Sequence, residues 1–182
     1  MLSANKPRVK KFIPALLLLF VSSLAPVVSH DLLAAPSPQE AKVIAVNDGD
    51  TVTLRMDNRT YRARLIGFDA PEMGQEPWGG KAREHLRAML KESRWNVTVE
   101  TDVEKYDKYG RLLVYLWTRD KTFVNERMLA DGYAVLFTFQ PDSRHVELFI
   151  KAQRAAREKK LGIWGPDGLK ERPVEYKKKH PR

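Results

Sequence analysis

Three short windows of the chain combine carboxylates with guanidinium groups: Asp48 and Asp50 in NDGDT, Arg64, Asp69 and Glu72 in RLIGFDAPE, and Arg111 in DKYGR. Carboxylate oxygens suit a hard cation such as calcium or magnesium. Guanidinium groups are planar, permanent cations that can grip phosphate oxygens by two bonds each. Taken together, the two types suit chemistry at an anionic phosphate held beside a metal ion. Pro71 restricts Ala70 to an extended backbone and fixes the direction in which Glu72 leaves the preceding strand, which would let Glu72 hold a water near a reacting centre. Each window also has an ordinary reading when taken alone: NDGD as a hairpin turn, DAPE as the start of a loop, and either arginine as a surface cation.

Other chemistries are disfavoured by composition. The chain has no cysteine, which excludes a disulfide framework, thiol catalysis and thiolate zinc sites. His30, His85, His145 and His180 are scattered and form no metal-spaced pair, which argues against zinc or Ser-His-Asp hydrolysis.

The elements that must position these residues read as a run of short strands. Ala41 to Val46, Thr51 to Met56 and Thr60 to Phe68 form a meander, with turns at NDGD (47–50) and DNR (57–59). An antiparallel pairing of the second and third strands brings the start of one near the end of the other, and with it Asp50 near Asp69. Lys81 to Ser93 changes period, with Ala82, Leu86, Met89 and Leu90 on one helical face. Strand character returns at Trp95 to Thr101 and Leu112 to Trp117, separated by the polar loop VEKYDKYGR. Two more helices are expected, Val124 to Ala130 and about Arg144 to Lys160, the latter stopping at Gly162 with Ile163 and Trp164 packed back on the core. The fold class is therefore α+β: a five-stranded Greek-key barrel of the OB type with about three helices.

The ends differ from the middle. Residues 1–29 carry a basic start, an apolar run from Phe12 to Val21 and then small residues, the order of a secretory signal peptide, with cleavage expected after Ser29 or as late as Ala35. Pro14 and Pro26 interrupt the apolar run, which is short for a membrane span. The expected location is thus secreted or periplasmic, and a membrane is a partner only where this segment is kept. Residues 30–40 read as a linker, 41–165 as the domain, and 166–182 as a basic, disordered tail rich in charge and poor in large apolar residues. The formal net charge is +9. Much of it resides in the two ends, leaving a mildly basic domain, so charge alone is compatible with a polyanionic partner without identifying one.

The joint pattern is more specific than its parts. DGDT (48–51), RLIGFDAPE (64–72), DKYGR (107–111) and LGIW (161–164) resemble, in order and spacing, the staphylococcal-nuclease-like family from about Lys42 to Trp164. That resemblance implies an OB-fold barrel and a calcium-dependent phosphodiesterase that hydrolyses DNA and RNA to products with a 3′-phosphate. It implies Asp50 and Asp69 as calcium ligands with the backbone carbonyl of Ala70, and Asp48 as a supporting carboxylate. Glu72 would be the general base or water-orienting group, Arg64 and Arg111 the phosphate clamps, and Lys108 and Tyr109 the holders of a terminal phosphate. The family's common threonine is Ala70 here, and its tyrosine pair in the nucleotide pocket is Phe137 and Phe139, which keep base stacking but lose hydrogen bonds to phosphate. As alternating aromatics, those two could instead be core residues. The expected state is a monomer acting on nucleic acid; the alternative is an OB module that binds nucleic acid without cutting it.

Overall fold

The computed structural model describes residues 37–181. The expected signal peptide and residues 30–36 of the expected linker lie outside the described residues. The last linker residues are already strand: β1 (Gln39–Val46) pairs with β2 (Thr51–Met56), and β2 with β3 (Arg59–Leu65), all antiparallel. Asp57 and Asn58, both at positive φ, make the β2–β3 turn, a conformation that short polar side chains tolerate and that matches the twist of a hairpin. β5 (Asn96–Glu100) runs antiparallel to both β1 and β6 (Leu112–Thr118), and β6 closes the ring by pairing parallel to β3.

The result is the expected five-stranded closed barrel, β1-β2-β3-β6-β5. Alternation fills its interior: Val52, Leu54, Ala63, Leu65, Val97, Val99, Val114 and Leu116 are buried. Outside it, the apolar stripes of α1 (Trp78–Glu92), α2 (Val124–Ala130) and α3 (Val146–Glu158) complete the core with Leu86 and Leu90, Met128 and Leu129, and Phe149. Gly162–Trp164 forms a single 3₁₀ turn that buries Ile163.

Three features depart from the expectation. The third strand breaks at Ile66, where the backbone leaves the barrel at Gly67 with φ 90°, and β4 (Gly67–Asp69) pairs with a short, unexpected strand, β7 (Val135–Phe137). A side chain at Gly67 would collide with the Phe149 ring, its Cβ standing 2.1 Å from a ring carbon. The segment 166–182, expected to be disordered, instead carries a fourth helix, α4 (Pro173–Lys179), among the described residues. It is held by contacts to the domain, which composition does not reveal.

Candidate active site

The turn of residues 47–50 is tucked in tightly. A Cβ at Gly49 would stand 2.6 Å from the Ala70 methyl and 2.9 Å from that of Ala82 on α1, so only glycine fits there. This close packing buries Asp50 at the start of β2, while Asp48 accepts the Asp50 amide at 3.0 Å. Register puts Thr51 opposite Arg64, and β4 turns Asp69 back toward both. Arg64 is the hub: Nη1 lies 2.6 Å from Asp50 Oδ2, and Nη2 lies 3.1 Å from Asp69 Oδ1. Its nitrogens also donate to the Leu65 and Phe68 carbonyls. Asp50 further accepts the Ala70 N–H at 3.2 Å.

Glu72 is fixed through its backbone. Its N–H donates to Gln75 Oε1, its carbonyl accepts the Gln75 N–H, and Gly79 lets the first turn of α1 press against that carbonyl, which would lie 2.1 Å from a Cβ. The parallel register of Ala63 with Leu112 places Arg111, just before β6, beside β3. Asp107 holds it there: Oδ2 accepts Nε at 2.7 Å and pairs with Nη2, while Oδ1 accepts the Tyr109 and Arg111 amides. Gly110, at φ 73°, lets the DKYGR loop close.

These groups line one cavity of about 790 Å³, bounded by Asp48, Asp50, Arg64, Glu72, Tyr109 and Arg111. A smaller neighbour of about 170 Å³ shares Arg64 and Arg111 and is walled by Phe137 and Phe139. Both rings are exposed, Phe139 by 74%, so they are a surface pair and not core. Lys108 stays at the rim, its ammonium 5.0 Å from the centre of the Tyr109 ring.

The carboxylates are electrically distinct. Burial pushes Asp50 up, but Arg64, Lys177 and the Ala70 amide more than offset it and hold the group below its ordinary range. For Asp69 burial prevails over the same two cations, and the group is raised. Asp48, half-buried and facing the Asp50 charge, is lifted to about 6.

Asp107, which holds Arg111, has no role in the sequence reading, and neither have two cations of the cavity itself. Arg62 joins the cavity wall. Lys177 of α4 reaches into it, with Nζ 2.6 Å from Asp69 Oδ1 and 3.1 Å from Glu72 Oε1. A signal for α4 was available in Pro173 at its first turn, Glu175 behind it and lysines in the last turn, but the run KKK reads first as a solvated end.

The chain is also similar in sequence to known proteins. A family model described as staphylococcal nuclease homologue matches residues 62–166. A thermonuclease of Staphylococcus hyicus is 32% identical over 137 residues, covering 72% of this chain and 79% of that protein. One from Staphylococcus intermedius is 36% identical over 124 residues, covering 65% and 72%. The SPbeta prophage-derived endonuclease YokF of Bacillus subtilis is 28% identical over 127 residues, 66% of this chain and 42% of that protein. A barrel with this pocket, matched over more than half its length, defines a class. The chain belongs to the staphylococcal nuclease homologue family.

Proposed function

We propose that this chain is an exported, calcium-dependent nuclease that cuts DNA, RNA or both and leaves 3′-phosphate ends. In its coarser class it is a hydrolase of phosphodiester bonds. One observation carries the reading: Asp50, Glu72, Arg64 and Arg111 line a single cavity, and Asp69 is tied to it through its ion pair with Arg64. A protein that only binds nucleic acid has no use for Glu72 and Asp69 at its phosphate site, where carboxylates repel phosphate unless a cation stands with them. Export is supported by the basic and then apolar composition of residues 1–29.

The donor set fits a hard cation. Asp50 and Asp69 bring buried carboxylate oxygens to one guanidinium, and every protein donor is oxygen. Among the described residues no three His, Cys, Asp or Glu side chains are grouped to enclose an ion. The protein share that the family resemblance implies is Asp50, Asp69 and the carbonyl of Ala70, an open set that suits weak binding of about 10⁻⁴ to 10⁻³ M. Bound calcium would supply charge stabilisation at the phosphoryl oxygens as water attacks. Arg64 and Arg111 add fixed positive charge on the same face, with Asp107 holding Arg111 in place. Glu72 accepts a proton from the attacking water or orients it. Phe137 and Phe139 offer faces for a base, and Tyr109 with Lys108 meets an adjoining phosphate.

The test is incubation of the purified protein with single- and double-stranded DNA and RNA, with calcium or with chelator. Cleavage in calcium alone, giving ends that a polymerase extends only after phosphatase treatment, is expected. Binding without cleavage would leave a nucleic-acid-binding module, and full activity with zinc alone would refute the oxygen-ligand assignment.

A further inference from the structure

We propose that residues 166–181 are a built-in cap on this pocket, and that the Lys177 ammonium and a divalent cation are alternative occupants of the same carboxylate cradle. The inference rests on the calcium reading above.

A seven-residue helix has too few internal hydrogen bonds to persist alone, so α4 depends on what holds it. The anchors are specific. Trp78 Nε1 donates to the Asp167 carbonyl at 3.1 Å, and Gln75 Nε2 donates to the Glu171 carbonyl at 2.8 Å. Lys179 pairs with Glu171, which ties the helix to its own anchor. The Tyr176 hydroxyl rests over Gly74, where a Cβ would lie 2.3 Å from its oxygen, and the His180 ring stacks on Tyr176 with centroids 4.1 Å apart. On the domain side the anchors are Gly74, Gln75 and Trp78, all in the stretch that leads from Glu72 into α1. The contacts thus converge on the segment that carries the water-handling carboxylate.

Their product is the placement of Lys177. Its Nζ holds Asp69 Oδ1 and Glu72 Oε1 at 2.6 and 3.1 Å. Tyr176, Lys177, His180 and Pro181 also form part of the cavity wall. Asp69 Oδ1 already accepts from Arg64 Nη2 when the ammonium joins it, so an ion drawn to that oxygen meets a second positive charge standing in its place, and Glu72 does not serve water freely while it neutralises a lysine. A divalent ion attracts those oxygens about twice as strongly as a single charge at equal distance. The ammonium offsets this by being tethered, which gives it a high effective concentration. Docking of the cap therefore lowers the apparent calcium affinity in proportion to the fraction of molecules in which it is docked.

The experiment measures calcium binding calorimetrically on the intact chain and on Lys177→Met, with hydrogen exchange across residues 173–181 in chelator and in calcium. Lys177→Met should bind calcium about tenfold more tightly if the cap is docked nine-tenths of the time. In the wild type the segment should be protected in chelator and lose protection in calcium. Should Lys177→Met misfold, Gly74→Val unseats Tyr176 without changing any charge and should tighten calcium binding in the same direction. Unchanged or weaker calcium affinity in the folded variant, no calcium binding in any form, or exchange that ignores calcium would each overturn the cap. Turnover on DNA separates the two readings. Tighter-binding variants that never cut nucleic acid leave the cap standing and remove the nuclease, whereas equal affinities with normal cutting do the reverse.

Discussion

Asp48 shows how much a single residue owes to its packing. Its carboxyl is lifted to about 6, first by burial and then by the neighbouring Asp50 charge. Such a group binds its proton more tightly folded than unfolded. Its favourable contribution is therefore complete below the unfolded value of 3.8 and is lost as pH rises through about 6. Asp48→Asn keeps an oxygen that can accept the Asp50 amide but cannot ionise. In chelator, the variant's thermal stability relative to wild type should rise between pH 4 and pH 8, by at most about 3 kcal/mol at 1.36 kcal/mol per pKa unit. A difference that stays flat across that range would mean that Asp48 is not raised. The identity of Asp48 as a turn residue was legible in NDGD. Its proton affinity was not, because that depends on Gly49 letting the turn lie against Ala70 and Ala82, residues distant in sequence.

At the scale of elements, the break between β3 and β4 needs a support that strand propensity cannot supply. Asn125, fully buried on α2, provides it. Its Oδ1 accepts the Leu116 amide at 2.9 Å, and its Nδ2 donates to the Ile66 and Val114 carbonyls at 2.9 and 3.2 Å. One side chain thus joins a helix, the edge of β6 and the point where the chain leaves the barrel. Asn125→Ala strands the Leu116 amide and the Ile66 carbonyl in the core, while the Val114 carbonyl keeps the Ile66 N–H, and urea unfolding should show a loss of about 2–4 kcal/mol. A loss below about 1 kcal/mol would mean that water replaces the amide. The barrel strands and three helices were legible because period-2 and period-3.6 patterns are local. β7 was not, since three residues carry no period and its pairing with β4 is a tertiary event. α4 is hidden for a related reason: its anchors are Gly74, Gln75 and Trp78, so its own composition resembles a solvated tail. Sequence alone does not choose between core and pocket for Phe137 and Phe139; the exposure of both rings, at the end of β7 and just beyond it, decides.

For the whole molecule, closing the barrel brings distant segments to one face. The parallel β3–β6 pair sets Arg111 beside the strand that carries Arg64, and β4 returns Asp69 to Asp50. An ion bound there joins β2 to β4 only in the native state, so it must stabilise the entire fold by mass action. With a dissociation constant of about 10⁻⁴ to 10⁻³ M, 10 mM calcium should contribute about 1.4–2.7 kcal/mol. For a chain of this size, that corresponds to a rise in Tm of roughly 3–10 °C. Asp69→Asn removes one of the two carboxylates, and its calcium-induced shift should fall close to zero while its Tm in chelator remains measurable. A shift that survives in Asp69→Asn would put the ion elsewhere on the molecule, and with it the water that Glu72 is assigned to handle.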